Sequence, residues 1–155
     1  MLKPDRSLQA MTQRIDKTII MEATPSVVWH TLTDPDLMKQ WMSEPEIGIE
    51  IITDWKVGSP IIIKGFHHLK FENKGTVLQF EPGKVLRYNY LSSLSRLPDI
   101  PENYSIIEFK LAPSEHHTSL TLTISNFPTE IIFKHIDFYW RTTIVLLKKF
   151  IEKLS

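Results

Sequence analysis

The sequence predicts an α+β fold: a seven-stranded antiparallel curved sheet around one long C-terminal helix, with two short helices after the first strand. Three observations predict it. A helical apolar period runs unbroken from Thr129 to Leu154, a period of two repeats through the middle of the chain, and two proline-started stretches follow the first alternating segment.

In the last stretch, apolar or semi-apolar side chains fall at Ile132, Ile136, Tyr139, Thr143, Leu147, Phe150 and Leu154. Steps of three or four keep them on one helix face, and Trp140, Ile144 and Ile151 widen it. The opposite face carries Glu130, Lys134, Asp137, Arg141, Lys148 and Glu152. Two acid-before-base pairs at four-residue spacing, Glu130–Lys134 and Asp137–Arg141, support the helix. Thr129 after Pro128 is the expected N-cap, and Lys148, Lys149 and Lys153 suit the negative end of the dipole. At about 1.5 Å per residue the helix spans nearly 40 Å, so it needs a broad surface to lie on.

In chain order, Met1 to Gln13 shows no periodicity, and residues 1–14 are expected to form a flexible N-terminal arm before a single domain over 15–155. Ile15 to Glu22 alternates as a half-buried strand. Thr24-Pro25 and Asp34-Pro35 each place a capping side chain before a proline at the first helical position, giving helices Pro25–Thr33 and Pro35–Met42, with Pro45 closing the unit. Strands are expected near Ile47–Asp54, Ser59–Phe66, Phe71–Phe80, Lys84–Leu91, Tyr104–Ala112 and Thr118–Ser125. Leu86, Tyr88 and Tyr90 alternate with Arg87 and Asn89; Ile107, Phe109 and Leu111 alternate with Glu108 and Lys110. One wet and one dry face imply an antiparallel sheet covered on a single side. Glu81-Pro82-Gly83 and Pro113-Ser114-Glu115 suit hairpin turns, whereas Ser92–Asn103 is a long loop fit for a rim or lid.

Composition narrows the function classes. Hydrophobic content of 42% and charged content of 23% describe an ordinary soluble domain. Eighteen basic residues balance 18 acidic ones, which argues against nucleic acid or anionic membrane as a partner. The absence of cysteine excludes disulfides, thiolate catalysis and cysteine-bound metal. No apolar run reaches the roughly 18 residues of a membrane span. Lys3, Asp5, Arg6 and Arg14 near the start leave no signal-peptide core, so a cytoplasmic location is expected.

Catalytic motifs are scarce. No Gly-x-Ser-x-Gly elbow, phosphate-binding glycine loop or His-Glu-x-x-His helix occurs. His67-His68 and His116-His117 sit near expected turns, and adjacent strand residues point to opposite faces, so neither pair is a chelate; no metal and no cofactor are expected. His135 lies one residue off the helix stripe. Tyr139 and Thr143 interrupt that stripe with hydroxyls, which are either satisfied locally or offered to a ligand.

The run Thr24-Pro25-Ser26-Val27-Val28-Trp29, then Leu32-Thr33-Asp34-Pro35 and Trp41, resembles the opening of activator-of-heat-shock-protein-90-ATPase homologues, within the START-like superfamily. Lys74 to Pro82 with Leu86-Arg87-Tyr88 resembles that family's central hairpin, and Thr118 to Leu122 with Asn126-Phe127-Pro128 its last strand and approach to the final helix. The likeness covers about Ile15 to Leu154; Trp41-Met42 stands where many relatives pair two tryptophans. The resemblance implies the helix-grip architecture, and with it a co-chaperone or other protein-interaction role, or a cyclase- or hydratase-type activity. Chaperone binding rests on the resemblance alone.

A long helix over a curved sheet leaves a concave, mainly apolar space, the usual place for a small ligand. The leading expectation is therefore non-enzymatic binding of a small apolar or amphipathic molecule between helix and sheet. Strand parity and the helix stripe name its lining: Trp41, Tyr88, Tyr90, Phe109, Leu122, Ile136, Tyr139 and Thr143, with Trp41 and the Ser92–Asn103 loop near a mouth.

Overall fold

The structure, a computed structural model, describes residues 13–43, 47–67 and 69–154. The expected arm lies outside the described residues up to residue 12, as do Pro45 and His68. Strand β1 (Arg14–Met21) leads into helices α1 (Pro25–Thr33) and α2 (Pro35–Met42). Strands β2 (Glu50–Thr53), β3 (Pro60–His67), β4 (Leu69–Glu81), β5 (Val85–Ser92), β6 (Ser105–Ser114) and β7 (His117–Ser125) follow, then the long helix α3 (Glu130–Leu154). All seven strands form one antiparallel sheet in the order β1-β7-β6-β5-β4-β3-β2. The predicted α+β architecture is the observed one.

The capping chemistry works as the sequence implies. Thr24 Oγ1 accepts the Val27 N–H at 3.3 Å, Asp34 Oδ1 accepts that of Asp36 at 2.8 Å, and Thr129 Oγ1 accepts that of Ile132 at 3.1 Å. Each satisfies a donor that the first helical turn leaves orphaned.

Differences are local. Strand β2 begins at Glu50 rather than Ile47, because Gly48 turns the chain through φ +62°. The β6–β7 reversal is at Glu115-His116, with His116 at φ 66°, so β6 continues through Pro113 and Ser114. The register of β4 against β5 shifts between Val77 and Gln79, where β4 bulges. The two strands approach closely at Gly75: an added Cβ would lie 1.7 Å from the Asn89 carbonyl oxygen.

The dry face of the sheet presents Ile15, Val77, Leu86, Tyr88, Ile107, Phe109, Leu120, Leu122 and Ile124, all buried. On α3 the fully buried residues are Trp140, Thr143, Ile144, Leu147 and Ile151. The helix therefore fills the core with its C-terminal half. Part of the expected stripe behaves otherwise: Ile132 and Ile136 are half-buried, Tyr139 keeps 38% of its surface accessible and Leu154 keeps 49%. Leu154 is the last helical residue, whereas the other three border empty space between helix and sheet.

Candidate functional site

That space is a cavity of about 510 Å³, within the usual range for small-molecule sites. The N-terminal half of α3 contributes Ile132, Ile136, Tyr139 and Trp140; β5 contributes Tyr88 and Tyr90; Ile107 of β6 and Ile61 and Ile63 of β3 complete the apolar floor. Met42, at the end of α2, closes one flank. Ser92, Leu94, Ser95 and Asn103 also line it, so the long Ser92–Asn103 loop is part of the wall.

Local folding explains the loop's placement. Its first turn is a short 3-10 helix, Ser93–Ser95, capped by Ser92 Oγ, which accepts the Leu94 N–H at 3.2 Å. Farther on, Asp99 accepts the Tyr104 hydroxyl at 2.6 Å and pairs with Lys74 of β4 at 2.5 Å. The Lys74 ammonium and the Tyr104 hydroxyl hold the Asp99 carboxyl below its ordinary value, and the same contact raises Lys74. The loop is thereby latched to the sheet beside the cavity.

Of the eight residues expected in the lining, Tyr88, Tyr90, Ile136 and Tyr139 border the cavity. Trp41, Phe109, Leu122 and Thr143 do not; they lie in the packed region where α3 and α2 touch the sheet. Trp41 is buried, its Nε1–H donating to the Thr31 carbonyl at 2.9 Å and its ring 6.1 Å from Trp140. Phe109 meets Trp140 edge-on at 5.8 Å. The Trp140 ring thus stands between Phe109 and the cavity that Trp140 itself lines.

Sequence parity did not reveal Ile47, Ile49, Ile61 and Ile63, although the period-two pattern of β3 marks Ile61 and Ile63 as one face. Their place opposite α3 depends on sheet curvature, which periodicity does not encode. His135 and Ser105 also line the cavity; His135 is exposed on α3, and Ser105 is buried opposite Tyr90 in the β5–β6 register.

The three tyrosines give the wall its polar character. Tyr88 is 4% exposed, and neither it nor Tyr90 has a side-chain hydrogen-bond partner among the described residues. Burial, reinforced by the neighbouring tyrosines, pushes both phenols well above their ordinary value. Tyr139 is pushed up to about 12 by desolvation, against a smaller opposing effect of the Thr143 hydroxyl. Its accessible surface belongs to a residue that lines the cavity, and its hydroxyl donates to the Met42 carbonyl. All three remain neutral hydrogen-bond donors near neutral pH. No group of three His, Cys, Asp or Glu residues among those described could hold a metal; the side chains of His67 and His68 lie outside them. Among the described residues no helix is long and apolar enough to cross a membrane.

Comparison with known proteins agrees with this architecture. The solution structure of ChR145 from Cytophaga hutchinsonii is 33% identical, with a TM-score of 0.77 over 92% of this chain and 96% of that one. Protein CV1439 from Chromobacterium violaceum is 20% identical with a TM-score of 0.78, covering 92% and 99% of the respective chains. The Aha1 dimer from Colwellia psychrerythraea is 23% identical with a TM-score of 0.71, covering 91% and 97%. At these last two identities the likeness concerns the fold alone. None of the curated proteins matches the sequence. The family model for "Activator of Hsp90 ATPase homolog 1-like protein" matches residues 22–152, and the chain belongs to that family.

Proposed function

We propose that this protein is a non-enzymatic binding module that holds a small apolar or amphipathic molecule between α3 and the sheet. The observation that carries the reading is the cavity of about 510 Å³, left open where α3 could have been packed down with larger side chains. Its wall is mainly isoleucine and aromatic, so burial of apolar ligand surface at about 25 cal/mol per Å² supplies the affinity, less the losses of ordering. The perturbed groups on the wall are phenols held neutral; they are suited to donate hydrogen bonds, not to act as general bases in a cyclase- or hydratase-type reaction. Native mass spectrometry of the purified protein tests the reading: a retained or added small molecule with defined stoichiometry is expected. A protein that neither retains nor takes up any apolar ligand removes it.

A second reading, as a protein-interaction domain, is favoured by the outer face of α3. Ile131, Phe138 and Val145 recur at seven-residue spacing and are 68%, 76% and 45% exposed. Together with the family match, that stripe gives a partner a surface to engage. Replacing Phe138 with serine separates the readings, since it should abolish a partner contact and leave small-molecule uptake unchanged.

A further inference from the structure

We infer that the ligand of this cavity is uncharged and carries an oxygen acceptor, such as a ketone, ester or quinone carbonyl, at one end of an apolar body. The inference rests on the cavity-binding reading and narrows its chemistry.

The first observation is what the wall lacks. Among the described lining residues there is no aspartate, glutamate, lysine or arginine. A carboxylate, phosphate or ammonium on the ligand would lose its hydration against isoleucine and tryptophan with no opposite charge to replace it. His135 is the exception among ordinary charge carriers; it lines the cavity from α3 and is exposed to solvent.

The second observation is what the wall offers. Tyr88 and Tyr90 alternate on β5 toward the same face, and Ser105 of β6 is the register partner of Tyr90. None of the three has a side-chain hydrogen-bond partner among the described residues, although Tyr88 and Ser105 are 4% and 2% exposed. Among the described residues the buried side-chain polar atom without a partner is Gln13 Oε1, so these hydroxyls are not sealed in the core but open onto the cavity they line, where a ligand atom can reach them. Neighbouring one another on β5 and β6 in a wall whose other polar members include Asn73, Ser92, Ser95 and Asn103, they form a small donor cluster that a ligand oxygen satisfies. A phenol is a better donor than acceptor, which suits a carbonyl oxygen, whereas an alkyl amine would arrive as a cation with no carboxylate on the described wall to pair it. The isoleucines of β3 receive the apolar remainder.

Three probes of equal chain length test this: 2-decanone, decanoate at pH 8, and decane. Binding is read by quenching of tryptophan fluorescence, since Trp140 borders the cavity, and by native mass spectrometry. The ketone is expected to bind roughly tenfold or more tighter than decane, and decanoate more weakly than the ketone. The Tyr88→Phe/Tyr90→Phe double variant should lose most of the ketone's advantage over decane, with Ser105 left as a donor. Decanoate binding as tightly as the ketone, or the ketone binding no better than decane to the unaltered protein, overturns this inference and leaves the cavity reading standing. Failure of all three probes overturns both. The comparison of probes on the unaltered protein stands even if the double variant does not fold.

Discussion

The Tyr139 hydroxyl on α3 donates to the main-chain carbonyl of Met42, the last residue of α2, joining positions 97 residues apart in the chain. This bond ties the roof of the cavity to its flank, because both residues line it. It also answers why a hydroxyl interrupts the apolar stripe: the group caps a free carbonyl at a helix end.

Tyr139→Phe should therefore destabilise the protein modestly, by about 0.5–1.5 kcal/mol, rather than leave stability untouched. Urea denaturation measures it. An unchanged midpoint would mean that water replaces the bond at no loss.

Leu147 is fully buried where α3 meets the sheet. Leu147→Ala should cost about 2–5 kcal/mol, whereas Phe138→Ala on the exposed face should fall within about 0.5 kcal/mol of the parent. Removing Arg141 to Ser155 should abolish cooperative melting, because the sheet would lose the half of the helix that fills its core. Calorimetry distinguishes these three outcomes.

Gly75→Ala tests the close approach of β4 and β5. The added Cβ meets main-chain atoms of Asn89, and main chain does not swing aside as a long side chain does. The Asn89 side chain also accepts the Thr76 N–H at 2.7 Å, so displacement breaks a second contact. A loss of about 3 kcal/mol or more is expected, read as a fall in thermal midpoint.

The Asp99 latch has a definite pH dependence. Its folded carboxyl titrates below the ordinary 3.8, so the contribution is complete above that value and disappears as pH falls through the lower folded value. Lys74 is raised above its ordinary 10.5, so it holds its charge through neutral pH and loses its contribution only in strong base. Amide protection in the Ser92–Asn103 loop, measured against the intrinsic exchange rate at the same pH, should fall in acid below about pH 3.8 while the strands stay protected. Asp99→Asn should reproduce the fast exchange at neutral pH. Equal exchange in variant and parent would show that the latch does not order the loop.

How far the sequence carries can be seen on single residues. The proline-led caps at Thr24 and Asp34 fixed both short helices to the residue, because their chemistry is local. Tyr88 and Tyr90 reached the cavity because strand parity is also local. Phe109 and Leu122 share the dry parity and yet are packed solid, since the face they point to is filled by Trp140 and its neighbours at one end and empty at the other. That distinction depends on where along the sheet the helix lies. The isoleucines of β3 were missed for the same reason. Gly48 and His116, both at positive φ, moved strand ends that alternation alone placed elsewhere.

The strand order has a consequence for how the chain is made. Arg14 of β1 is aligned with Ser125 of β7, and Met21 with Thr118. During synthesis from the N-terminus, β1 emerges before the other described strands and waits for nearly the whole sheet to be translated before β7, its neighbour among them, exists. Until then its apolar Ile15, Ile19 and Met21 have no strand to pair with, and the interval is one in which a chaperone or a wrong partner can reach them. Pairing β1 with β7 closes a loop of about a hundred residues, and so long a closure makes slow folding the expected kinetic signature.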